Sequence, residues 1–214
     1  WDLLAIALTS ASLAAWSRRH PAVAGMWLGL AVAAKFYPLV IVGPIVLLCA
    51  RRGKWRVLGA FLAGAPGAWL VVNVSVMLAN VEGWARFYSF SRERGIDFGS
   101  PWYALTLVGL DIPANAVNSL ASGSFLLACA GIALLVLRAP QPPRLAALAF
   151  LTVAAFVLTN KVYSPQYVLW VLPLAVLARP RWRDLLIWQV AEAAYFVGIW
   201  WFLVGYGTDD KGLH

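Results

Sequence analysis

Apolar residues run in long stretches along this chain, separated by short polar or basic breaks. The run "VLGAFLAGAPGAWLVVNVSVMLA" (57–79) holds 23 residues. As a helix it spans roughly 34 Å, enough for one crossing of a ~30 Å hydrocarbon layer. A return crossing is predicted over about 113–137. A last one follows Arg183, through "LLIWQVAEAAYFVGIWWFLVGY", and the chain ends on the polar "GTDDKGLH". Two further intervals, 20–50 and 145–178, are apolar but broken near the middle, by "AKFYPL" and "NKVYSPQ". Each is predicted to go in and come back as two short arms of about 13–15 residues, roughly 20–23 Å apiece. Nothing reads as a strand. The pattern predicts an all-α integral membrane bundle of about eight segments, two pairs of them short hairpins, in a single transmembrane domain over 1–214.

Composition sharpens this reading. Of 214 residues, 62% are hydrophobic and 12% charged, against about 45–50% and 25% in soluble domains. Twelve Trp and seven Tyr suit interfacial belts, so membrane lipids are the expected surroundings. Cys49 and Cys129 lie inside apolar runs without paired spacing and read as packing. The net charge of +8 would suggest nucleic acid in a soluble chain, but its placement excludes that partner here. Eleven of the 17 Lys and Arg residues fall in four clusters: Arg18/Arg19, "RRGKWR" at 51–56, Arg138/Arg144, and Arg179/Arg181/Arg183. The positive-inside rule puts all four on the cytoplasmic side of a plasma membrane, so each interval between them crosses an even number of times. The opening "WDLLAIALTSASLAAW" has no initiator Met and no basic leader, and is expected to be a cut end with earlier helices missing.

The two interrupted intervals carry the chemistry. Both tips contain Lys-x-Tyr followed by Pro: Lys35, Tyr37 and Pro38 in one, Lys161, Tyr163 and Pro165 in the other. Short, Pro-interrupted hydrophobic segments recurring in two places point to a binding site below the outer surface. Ser164-Pro165 reads as a helix start, with Ser as cap and Pro preorganised at the first helical position. Pro38 is predicted to open a helix over 38–50 in the same way. A helix N-terminus beside a lysine attracts anions, so the tips are expected to face one phosphate or pyrophosphate, with Gln166 as a further donor. The competing reading is that both lysines snorkel to the interface and bind nothing.

Between these tips lies "NVEGWARFYSFSRERGIDFGSPWYAL" (80–105), with Glu82, Arg86, Arg92, Glu93, Arg94 and Asp97 among aromatic residues. Such a segment either lies on the membrane as an amphipathic helix or covers a polar cavity, where Arg pairs with phosphate and aromatics stack on sugars. Asp2 at an outer helix end, Glu82, Arg86, Arg92, Arg94, Asp97 and Glu192 are the further cavity candidates. Glu192 sits mid-way along the last crossing, where a carboxyl is costly unless it faces the bundle interior or finds a hydrogen-bond partner. No phosphate-binding P-loop, hydrolase elbow, HExxH or Cys/His cluster occurs, and His20 and His214 lie in polar positions. No cofactor and no metal are expected.

"WLGLAVAAKFYPLVIVGPIVLLCARRGKWR" (27–56), "KVYSPQYVLWVLPL" (161–174) and the opening "WDLL" resemble glycosyltransferase family 87. The resemblance implies a multi-helix GT-C-type fold with its active site on the outer face. It also implies transfer of a hexose, often mannose, from a polyprenyl-phosphate donor to a glycolipid or cell-envelope glycan, with inversion. Lys35, Tyr37, Lys161, Tyr163, Ser164 and Gln166 would then hold the donor phosphate. The family's base is an Asp in a first outer loop that no residue here matches, so the chain is similar to the C-terminal part of such an enzyme and the catalytic base stays unassigned. Two other classes remain open from the residues alone. One is a transporter or flippase of a lipid-linked sugar, and the other is a non-catalytic subunit that binds the carrier lipid.

The charge pattern makes a direct prediction about sidedness. A membrane-impermeant thiol reagent added outside should label Arg92→Cys and spare Gln141→Cys; the reverse result overturns the orientation.

Overall fold

The computed structural model describes residues 1–207, and within them the chain is helical, with no strand among the described residues. Its helices are α1 (Asp2–Ser17), α2 (Pro21–Ala34), α3 (Val42–Arg51), α4 (Trp55–Ala79), α5 (Val81–Glu93), α6 (Pro101–Leu107), α7 (Ala114–Arg138), α8 (Leu145–Thr159), α9 (Val168–Ala178) and α10 (Trp182–Gly207). Three of them, α4, α7 and α10, are long and apolar enough to cross a membrane. Five are shorter and apolar, α1 and the arms of the two hairpins, while α5 and α6 lie between α4 and α7. The tail from 208 onward, including His214, lies outside the described residues.

Both interrupted intervals are helical hairpins. The first runs α2, a 3-10 turn over Tyr37–Ile41, then α3; the second runs α8, a 3-10 turn over Pro165–Tyr167, then α9. At 14 and 11 residues, α2 and α9 are roughly 21 and 16 Å long, well short of a ~30 Å layer. The two Pro residues do open the returning arms, but through 3-10 turns and without side-chain caps. Leu39 N–H donates to Phe36 O at 3.1 Å and Tyr167 N–H to Ser164 O at 2.9 Å. These i→i+3 bonds tighten the entry, so the regular helices begin only at Val42 and Val168, and the Ser164 hydroxyl caps neither.

The hairpins pack on α1 and on each other. The 3-10 turn of the first rests on α8, and α9 rests on α1. The core there is Leu28, Tyr37, Ile41, Ile45, Leu148, Val153, Trp170 and Leu174. The long helices stand around this centre with most of their surface exposed, as suits lipid-facing helices.

Helices α2 and α4 approach until their backbones touch. A Cβ on Gly25 would strike Phe61 O, one on Gly29 would strike Ala65 O, and one on Gly64 would strike Ala22 O. The Gly64 spacing on α4 is legible as small-xxx-small; its counterpart on α2, Gly25-xxx-Gly29, is what permits the contact. Gly59, by contrast, has open space around it.

The basic clusters also do structural work. The Arg51 guanidinium donates to Val136 O and Ala139 O at the end of α7, and Arg144 Nη2 donates to Ala178 O at 3.1 Å at the end of α9. Unpaired terminal carbonyls are thereby satisfied by cations, which also suit the negative end of the helix dipole.

Two substitutions check this packing. Gly29→Leu should separate α2 from α4 and cost at least the roughly 1–3 kcal/mol of an overpacked core, read as a lower thermal midpoint in detergent. Gly131→Ala, in open space inside α7, should hold or raise the midpoint, since helix propensity adds up to about 1 kcal/mol of stability.

Candidate active site

A cavity of about 830 Å³ opens between the two hairpin tips. Its walls come from the end of α2 and the first tip, the upper part of α4, α5, and the second tip with the start of α9. Lys35, Lys161 and Arg94 all line it, with Asn73, Ser91, Asn160 and Gln166, and no Asp or Glu stands among the described lining residues. Trp69, Trp84, Tyr88, Tyr167 and Trp170 supply aromatic surface. A lining of cations, amides and aromatic faces suits a phosphorylated sugar.

The first tip is held through Asp2. Lys35 Nζ lies 3.1 Å from Asp2 Oδ1 and 5.4 Å from the centre of the Trp170 ring, while Trp170 Nε1–H donates to the same Asp2 oxygen at 2.6 Å. Asp2 sits in the first turn of α1, where the helix dipole favours a carboxylate. Trp170 also stacks on Tyr37, with centroids 4.5 Å apart, and on Tyr167 at 4.0 Å. This one indole therefore ties α1, the first tip and the second hairpin together.

The second tip is gripped by its backbone. Trp102 Nε1–H donates to Thr159 O at 2.9 Å, Asp97 N–H to Lys161 O at 3.0 Å, and the Tyr195 hydroxyl to Tyr163 O at 3.0 Å. Lys161 itself is only 7% exposed, and its ammonium donates to Asn118 Oδ1 at 2.6 Å and Arg92 O at 3.2 Å. Arg94, the neighbouring cation on the wall, pairs with Asp97.

The candidates divide accordingly. Lys35, Tyr37, Lys161, Gln166 and Arg94 reach the cavity wall. Asp2 reaches it through Lys35 and Trp170, and Asp97 through Arg94. Tyr163 and Ser164 lie outside the lining; the Tyr163 hydroxyl donates instead to Glu192 Oε1 at 2.8 Å. Glu82, Arg86 and the Arg92 side chain belong to α5 but stand away from the lining, while the Arg92 carbonyl serves Lys161.

Sequence reasoning passed over Trp170, Asn118 and Asn73. Asn73 sits inside α4, accepts from Trp84 Nε1–H at 2.9 Å and donates to Trp69 O at 3.0 Å, so it latches α5 onto the cavity. A polar amide inside a long apolar run was the available signal.

The family model of glycosyltransferase family 87 matches residues 1–160. This chain belongs to that family of membrane glycosyltransferases. No curated protein and no solved structure matches it.

If Asp2 fixes Lys35 at the wall, a double-mutant cycle of Asp2→Asn and Lys35→Met on thermal stability should return a coupling of about 1 kcal/mol. A coupling of zero would mean that the pair does not hold the tip.

Proposed function

We propose that this glycosyltransferase moves a hexose, mannose by its family resemblance, from a polyprenyl-phosphate donor to a lipid-linked or cell-envelope glycan. The observation that carries the proposal is the meeting of Lys35 and Lys161, from separate hairpins, on one cavity without a carboxylate in its described lining. The volume, about 830 Å³, falls in the usual range of roughly 300–1,000 Å³ for small-molecule sites. In transfer, an acceptor hydroxyl attacks the anomeric carbon and loses its proton to water, the bond from that carbon to the phosphate oxygen breaks, and polyprenyl phosphate leaves with the electron pair.

In this reading Lys161, Lys35 and Arg94 take up the charge that grows on the departing phosphate, where low dielectric and fixed geometry make such contacts strong. The donor's sugar lies against the aromatic faces, and Asn73, Asn160 and Gln166 offer it hydrogen bonds. Asp2 is occupied by Lys35 and Trp170, so it sets the position of a cation and takes no base role in the proposal. The basic end of the bundle faces the cytoplasm of a plasma membrane and the cavity opens outside, following the arginine clusters.

Lys161→Ala should cut transfer from polyprenyl-phosphate mannose by about ten- to hundredfold in membranes, the scale of a lost charged hydrogen bond of roughly 1.5–3 kcal/mol. Arginine at the same position should rescue only in part, since its planar fork differs from an ammonium. Near-normal transfer and donor affinity in Lys161→Ala would remove the phosphate site.

A further inference from the structure

Glu192 lies in α10, beyond the stretch that the family model matches. It stands well inside that helix and meets the second tip. Its Oε1 accepts from Tyr163 O–H at 2.8 Å and from Trp188 Nε1–H, one turn earlier on its own helix, at 2.9 Å. One turn later, the Tyr195 hydroxyl donates to Tyr163 O at 3.0 Å. Residues 188, 192 and 195 share one face of the helix by their spacing. That face therefore holds Tyr163 at both ends, by its phenol and by its carbonyl.

The grip continues into the preceding loop. Gly99 has φ +74°, and a Cβ there would strike the Tyr195 hydroxyl and crowd Tyr163 O. The loop can thus close over the tip only with glycine at this position, and two residues earlier Asp97 N–H holds Lys161 O. Tyr163 and Lys161 stand two residues apart in a non-helical segment. The grips on Lys161 O and on Tyr163 O, from the loop and from α10, together set the direction in which Lys161 leaves the backbone.

We infer that Glu192 is a positioning residue: through Tyr163 it sets the second tip so that Lys161 stands at the cavity wall with its ammonium held by Asn118 and the Arg92 carbonyl. The inference rests on the proposed phosphate role of Lys161. Glu192 touches no substrate. It acts as a hydrogen-bond acceptor, so the amide oxygen of glutamine can take its place, whereas leucine cannot. A purely structural carboxylate would weaken the fold without any dependence on Lys161.

The test uses the full chain in proteoliposomes with polyprenyl-phosphate mannose as donor, recording KM and kcat separately beside the thermal midpoint. Glu192→Leu should raise the donor KM roughly tenfold, and Tyr163→Phe, a milder change on the other side of the bond, should do the same. Glu192→Gln should restore most of the loss. In a Lys161→Ala background, Glu192→Leu and Tyr163→Phe should add little, because the group they position is gone. Additive effects in that background, a glutamine variant as poor as leucine, or a normal donor KM in Tyr163→Phe would each overturn the inference. Should Glu192→Leu fail to fold, Tyr163→Phe and Glu192→Gln decide it. A Lys161→Ala enzyme with full activity would instead reject the phosphate site itself, which keeps the two failures apart.

Discussion

Backbone that leaves the helix inside a membrane protein must find hydrogen-bond partners within the protein, and the second hairpin meets that demand at three alternate residues. The carbonyls of Thr159, Lys161 and Tyr163 accept from Trp102, Asp97 and Tyr195, donors that belong to α6, the loop before it and α10. Each unsatisfied group in hydrocarbon would cost several kcal/mol. The segment between α5 and α7 is therefore folded down onto the tip, and α10 is drawn against it. The cavity is a consequence: with the tip held short, a space remains above it that α5 covers.

The same constraint decides the electrostatics. Lys35 has Asp2 and Arg94 has Asp97, while Lys161 donates to a backbone carbonyl and an amide oxygen. Two cations of the wall are thus matched by carboxylates set behind it, and the third is held by neutral oxygens. A buried ammonium solvated by neutral groups remains costly, and an anion in the cavity would lower that cost. The geometry that satisfies the tip's carbonyls also leaves its lysine in want of a counter-charge.

Much of the bundle was legible because apolar run length and basic clusters are strong signals. The crossing over 57–79 corresponds to α4, the return over 113–137 to α7, and the two broken intervals to hairpins. The mode of helix entry was not legible. Proline fixes one dihedral but does not choose between an α and a 3-10 turn, and Ser164 spends its carbonyl, not its hydroxyl, on the turn. The Tyr163 partner of Glu192 was equally hidden, 29 residues away, whereas Trp188 lies one turn earlier on the same helix at a spacing the sequence does show. Candidates in and just after α5 did not sort by type: Arg94, just past the end of the helix, lines the cavity while Glu82 and Arg86 on the helix do not, a placement that an amphipathic pattern leaves loose.

Trp170 shows how the two similar tips come to be one site. The tips share Lys-x-Tyr and Pro, yet they are held by different means: the first by an ion pair and ring stacking, the second by its backbone. Trp170 belongs to the second hairpin but serves the first, donating to Asp2, stacking on Tyr37 and lying beneath Lys35. It is only 4% exposed. A rigid ring so enclosed fixes the separation of the hairpins more firmly than flexible contacts would, because its many dispersion contacts and its N–H bond must be lost together. The spacing of Lys35 from Lys161 is thus set by an aromatic wedge, and the width of the cavity between the hairpins follows from that wedge.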